Sequence, residues 1–159
     1  MNDEQYDSIK GELQRLHENC LYSAQAYFEA AKSAEFWGRV MVFIPACVSA
    51  ISGFMSALNK TPTWGAVSAV AGAVAATASF LGSTRKSVDF QSSARSYTAL
   101  RNRIQLRLGL LMKDDTWDEA RETLRSMNDA YVQIVTADIP VPNRAFDVAR
   151  KRIQQGMVS

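Results

Sequence analysis

The chain has 159 residues and a net charge of +2, from 18 Lys plus Arg against 16 Asp plus Glu. That length suits about one domain, and so even a balance excludes a bulk electrostatic grip on nucleic acid. Two cysteines, Cys20 and Cys47, with no CxxC and a single histidine, exclude a disulfide framework and a zinc site.

The N-terminus, Met1-Asn2-Asp3-Glu4, is acidic and carries no basic segment followed by an apolar core, so no signal peptide is expected. Residues 1–38 predict a helix. Tyr6, Ile9, Leu13, Leu16, Cys20, Ser23 and Tyr27 recur at spacings of three and four, a heptad-like seam. Gly11 weakens this helix locally, and no proline occurs before Pro45 to stop it.

Between Arg39 and Arg85 the only charged residue is Lys60. It divides two uncharged stretches, 40–59 and 61–84, each long enough to cross a bilayer as a helix of about 20 residues. We assign a first span to 39–58, a tight turn to 59–63 and a second span to 64–83. In the first, Ile44, Val48, Ile51, Met55 and Leu58 form a large-residue stripe opposite a small one of Ala46, Ser49, Gly53 and Ser56. Pro45 removes one backbone bond near the start, which membrane helices tolerate. In the second, Val67, Val70, Val74 and Leu81 oppose Gly65, Ser68, Gly72, Ala75 and Ser79. Pro62 suits the start of that helix and Gly82 its end.

Further helices follow over 84–159. One carries Phe90, Ala94, Tyr97, Ile104, Leu108 and Leu111 on a seam interrupted by Arg101. An acidic residue such as Glu122 or Asp129 would neutralise Arg101 there. Lys113-Asp114-Asp115 predicts a turn, and Thr116 with Glu119 a capping box. The next helix presents Trp117, Ala120, Leu124, Met127, Tyr131 and Ile134. Asp138 to Pro142, with two prolines, predicts an extended break. A last short helix sets Phe146, Ala149 and Ile153 against Arg150, Lys151 and Arg152. The fold class is therefore an all-α membrane protein, a two-span hairpin with amphipathic helices at either end. Lys32, Arg39, Arg85, Lys86 and Arg95 outnumber Lys60 alone at the turn, so both termini are expected in the cytoplasm.

Three groups of residues are candidates for function. Gly65, Ser68, Gly72, Ala75 and Ser79, with Ser49 and Gly53, suit close helix packing or the lining of a pore. The second span has few strongly apolar residues and suits lipid less well than the first, with its Phe43, Ile44, Ile51, Phe54 and Leu58. Arg95, Arg101, Arg103 and Arg107 suit anionic lipid or a phosphorylated ligand, because guanidinium forks match phosphate. His17 has no nucleophile or metal ligand spaced to work with it. With no GxSxG, HExxH or glycine-rich phosphate loop, the chain is read as a non-enzyme without cofactor or metal.

The order of parts carries a resemblance. A polar N-terminal helix leads through Phe36-Trp37-Gly38-Arg39 into the first span, then a tight turn and a small-residue second span. A helix from Phe90 through Ala94, Arg95 and Tyr97 to Leu100 follows, then an amphipathic helix and a Pro140-x-Pro142-x3-Phe146-x2-Ala149 close. Over nearly its whole length the chain resembles the SLATT domains, two-transmembrane effector modules of bacterial conflict systems. The resemblance implies a single SLATT-like domain over 1–159 in the bacterial inner membrane. It implies an antiphage effector that oligomerises and forms a pore or disrupts that membrane when activated. The implied partners are the lipid bilayer, further copies of the chain, and a nucleotide signal or a partner sensor protein. The alternative is a non-conducting adaptor, anchored by the hairpin, whose Tyr6–Tyr27 seam binds a helix of another protein.

Overall fold

The structure is a computed structural model and describes residues 1–59, 62–80, 83–112 and 114–156. Among them are five helices and no strand: α1 (Asp3–Asn59), α2 (Pro62–Phe80), α3 (Ser83–Leu110), α4 (Trp117–Ala137) and α5 (Asn143–Gln154). They form two compact units, one of residues 1–30 with 89–159, the other of residues 31–88.

The first unit is a helical bundle with an ordinary apolar core. The α1 seam supplies Ile9, Leu13, Leu16, Cys20 and Tyr27, all buried, and α3 supplies Phe90, Ala94, Tyr97, Leu100, Ile104 and Leu111. Tyr27 stacks on Tyr97 at 5.5 Å, and Tyr97 meets Tyr131 of α4 at 5.9 Å, so α1, α3 and α4 share one aromatic centre. Five of the seven seam residues are thus covered by the unit's own helices, and Tyr6 and Ser23 are half-buried.

Polar groups pin this bundle at its margins. Asn2 and Gln5 cap α1 reciprocally: the Gln5 N–H donates to Asn2 Oδ1 at 2.8 Å and the Asn2 N–H to Gln5 Oε1 at 3.1 Å. The expected capping box at α4 differs. Thr116 is the N-cap in extended geometry, but its side chain makes no capping bond. Residues 138–142 do form an extended break, with Asp138 and Pro142 both in extended conformation. Tyr27 Oη donates to the Ile139 carbonyl across it at 3.0 Å. On α5 the inward face is rotated from the expected one. Ala145 and Ala149 are buried while Phe146 is 46% exposed. Arg152 turns inward and meets Glu29 at 2.6 Å, and that ion pair fixes the rotation.

The second unit comprises α1 from residue 31, α2 and the start of α3. α1 continues through Pro45 without interruption. The second helix is bounded as Pro62–Phe80, slightly earlier than the expected 64–83, and α3 already begins at Ser83. Lys60 and Thr61 of the expected turn, with Leu81, Gly82 and Lys113, lie outside the described residues.

Candidate functional site

Burial in the second unit runs opposite to that of a water-soluble protein. Its buried side chains include Ser52, at 3% exposure, whereas Phe43 and Val70 are 69% and 65% exposed. Met41, Ile44, Val48, Ile51, Phe54 and Leu58 on α1 face outward, as do Val67 and Val74 on α2. A soluble domain is organised the other way, because each such side chain removed from water contributes about 1.5–3 kcal/mol. An 18-residue window within Asp3–Leu58 is long and apolar enough to cross a membrane, and only 6% of it is buried. α2 contributes a shorter apolar segment, Thr63–Ser79.

The two helices meet through small residues. Ser49 Oγ donates to the Ser68 carbonyl at 3.0 Å, and Ser68 Oγ donates to the Ser49 carbonyl at 2.9 Å. The two hydroxyl oxygens are 3.3 Å apart. Around this pair each glycine faces a serine of the opposite helix. A Cβ at Gly72 would lie 3.3 Å from Ser49 Oγ, one at Gly53 3.4 Å from Ser68 Oγ, and one at Gly65 3.4 Å from Ser56 Oγ. At 72 a side chain would press on the Ser49 hydroxyl that makes one of the reciprocal bonds, which must then shift by a few tenths of an ångström.

Among the small residues singled out in the sequence, Ser49, Gly53, Gly65, Ser68 and Gly72 come together in this seam, with Ala75 half-buried near it. Ser79 is exposed. On α1 the seam runs through Ser49, Ser52, Gly53 and Ser56, while Ala46 turns outward and Met55 is half-buried, a rotation from the expected stripes. Ser52, three residues after Ser49 on the same helix side, joins the seam as its most buried serine.

The arginines of α3 do not make one cluster. Arg95 and Arg103 are exposed, and Arg101 and Arg107 are partly buried. Arg103 lines a groove between α3 and α4 together with Asp89 and Asp138. Arg101 lies close enough to His17 to depress its pKa. Burial is the larger cause of that depression, the Arg101 charge the second, and Glu18 opposes both. Burial likewise pushes the Cys20 thiol up to about 11. Tyr27 and Tyr97 are raised above the ordinary phenol value by burial first and then by the neighbouring Asp138 carboxylate. The thiols of Cys20 and Cys47 are both free.

A second groove, between α1 and α4 of the first unit, was not anticipated. Arg15, Arg121 and Arg125 line it over a floor of Leu16, Leu124 and Tyr131. Its sequence signal is faint, because the walls lie about a hundred residues apart and only the Arg121–Arg125 spacing marks a common helix face. Among the described residues no group of three His, Cys, Asp or Glu could hold a metal ion. No protein-family model, no curated protein and no solved structure matches the chain.

Proposed function

We propose that the chain is a two-span protein of the bacterial inner membrane, an effector whose copies assemble and permeabilise the bilayer on activation. The observation that carries this reading is the inverted burial of the second unit: serine and glycine inside, large apolar side chains outside. In hydrocarbon that arrangement satisfies the polar groups within the hairpin and leaves the apolar ones to lipid. α2, with 19 residues, would extend about 28 Å, close to the hydrocarbon thickness. Trp37 and Trp64 are both exposed and fall at opposite ends of the first apolar stretch and its return, where interfacial aromatic residues belong.

The seam also bears on how a pore would form. In the single chain the Ser49–Ser68 face is occupied by the hairpin itself. A polar lining therefore requires the seam to open and its serines and glycines to turn towards neighbouring copies. The antiphage setting and the nucleotide or sensor trigger rest on the SLATT resemblance. The adaptor alternative would need a docking surface other than Ile9, Leu13, Leu16, Cys20 and Tyr27, which are buried within the bundle.

Two measurements test the proposal. Expressed in a bacterium, the chain should sediment with inner membranes and resist extraction at alkaline pH. Purified and reconstituted, it should assemble and release a trapped dye from liposomes. Extraction by alkali into the soluble fraction would overturn the membrane reading. A reconstituted oligomer that never releases dye, while an unrelated hairpin substituted for residues 39–83 preserves activity in cells, would overturn the effector reading.

A further inference from the structure

The groove between α1 and α4 encloses about 340 Å³, within the range of small-molecule sites. It lies wholly inside the first unit, so its occupancy can be tested separately from the hairpin. Its rim is basic. Arg15 donates to Glu12 at 2.8 Å on the same rim. Arg121 and Arg125 are exposed one turn apart on α4, and neither makes a hydrogen bond or ion pair with a described residue. Like charges at that spacing repel each other along a helix, and a bound anion removes the penalty. Three guanidinium groups less one carboxylate leave two net positive charges on the rim. A phosphomonoester carries about −1.5 to −2 at neutral pH, which matches. Below the charges the surface is apolar, formed by Leu16, Leu124 and the Tyr131 ring.

We propose that this groove binds a small organic phosphate, the phosphoryl group held by Arg121 and Arg125 with Arg15, and an apolar ring or chain lying on Leu16, Leu124 and Tyr131. Guanidinium forks give phosphate paired, directional hydrogen bonds, and the apolar floor supplies the remaining affinity for the body of the ligand. Asn19 and Asn128, also on the lining, offer amides that donate and accept at its polar edge. The phosphate could arrive free in solution or on a lipid headgroup, and the chemistry at the groove is the same.

The test uses the full chain in phosphatidylcholine nanodiscs at low salt, with phenyl phosphate, inorganic phosphate and phenol as titrants. Phenyl phosphate should bind, inorganic phosphate should bind more weakly, and phenol should not bind measurably. Arg121→Gln and Arg125→Gln should each weaken phenyl phosphate about tenfold, the usual effect of losing a charge-assisted hydrogen bond. Arg150→Gln, an exposed arginine on α5, should leave it unchanged. Circular dichroism of each variant confirms folding, since both substitutions are on exposed positions. Nanodiscs doped with phosphatidylinositol 4-phosphate separate the sources. Competition with phenyl phosphate that needs Arg121 and Arg125 assigns the groove to a headgroup, and its absence assigns it to a free ligand. The proposal is overturned if phenyl phosphate fails to bind at millimolar concentration. It is overturned equally if phenol binds as well as phenyl phosphate, or if Arg150→Gln weakens binding as much as Arg121→Gln.

Discussion

Removing the hydroxyls of Ser49 and Ser68 is the sharpest probe of the second unit. Each hydroxyl donates to the other residue's backbone carbonyl, at 3.0 and 2.9 Å. Ser49→Ala therefore deletes one bond and leaves its counterpart standing, and Ser68→Ala does the reverse. Interhelical bonds of this kind contribute about 0.6 kcal/mol on average in membranes, with an upper end near 1.7 kcal/mol. The double variant should lose about 1–3 kcal/mol. The two losses should add within about 0.5 kcal/mol, because the acceptors are carbonyls that neither substitution removes. Only the 3.3 Å contact between the hydroxyl oxygens couples them. Gly72→Leu should cost more than either alanine, since its Cβ alone would already stand 3.3 Å from Ser49 Oγ. Titrating the micelle-bound chain with a denaturing detergent measures these effects. Trp37 and Trp64 fluorescence serves as the reporter after Trp117→Phe removes the signal of the first unit. Val48→Ala, on the exposed face, is the comparison. If Val48→Ala shifted the transition more than the double serine variant, the helices would not meet through the seam and the reasoning would fail.

Further outcomes follow from the first unit. His17 has a folded pKa below its ordinary 6.5. The unfolded chain therefore takes up the proton first as pH falls, and stability present above about pH 6.5 declines below it until the folded histidine also titrates. His17→Asn should flatten that slope in pH-dependent thermal melts, and an unchanged slope would assign it to other groups. Cys20, fully buried with its thiol near 11, should react with maleimide at neutral pH only once the bundle unfolds. Labelling of Cys20 at the rate of a free peptide thiol would contradict that burial. Arg152→Ala should loosen α5 and cost about 1–2 kcal/mol, because it strips a charge-assisted bond from Glu29, whose side chain is only 10% exposed. Faster amide exchange confined to residues 143–154 is the signature, and protection equal to that of the parent chain would count against it.

What the sequence made legible was periodicity. Ile9, Leu13, Leu16 and Cys20 repeat at helical spacing, and so do Phe90, Ala94, Tyr97 and Ile104, and all eight are buried. Such seams are local patterns, and one helix face is enough to define them. On α5 periodicity places Ala149 on the inward face correctly but Phe146 with it, and Phe146 is exposed. The inward position went to Ala145 and Ala149 once Arg152 was drawn to Glu29, a partner 123 residues away. The capping at Asn2–Gln5 follows the same spacing rule as Thr116–Glu119, yet only the first forms the reciprocal bonds. The groove of Arg15, Arg121 and Arg125 was invisible for the reason that α5 was misjudged: it is assembled by tertiary packing.

Two ordinary explanations compete with a membrane hairpin for a long apolar helix near an N-terminus, and the second unit bears on both. A helix at the core of a soluble bundle would be mostly buried, whereas the apolar window of α1 is 6% buried. A leader sequence needs only an apolar stretch, and nothing downstream has to fit it. Here Gly53 faces Ser68, Gly65 faces Ser56 and Gly72 faces Ser49, so each helix supplies both the glycines and the hydroxyls that its partner requires. That register spans about two turns in all, from Ser49 opposite Gly72 to Ser56 opposite Gly65, and fails if either helix is shifted by one residue. A complementarity of this kind favours α1 and α2 packing as one unit. Under the proposed function an activating change would act on this seam, because the outward faces carry mainly large apolar side chains such as Phe43, Ile51, Phe54 and Val70.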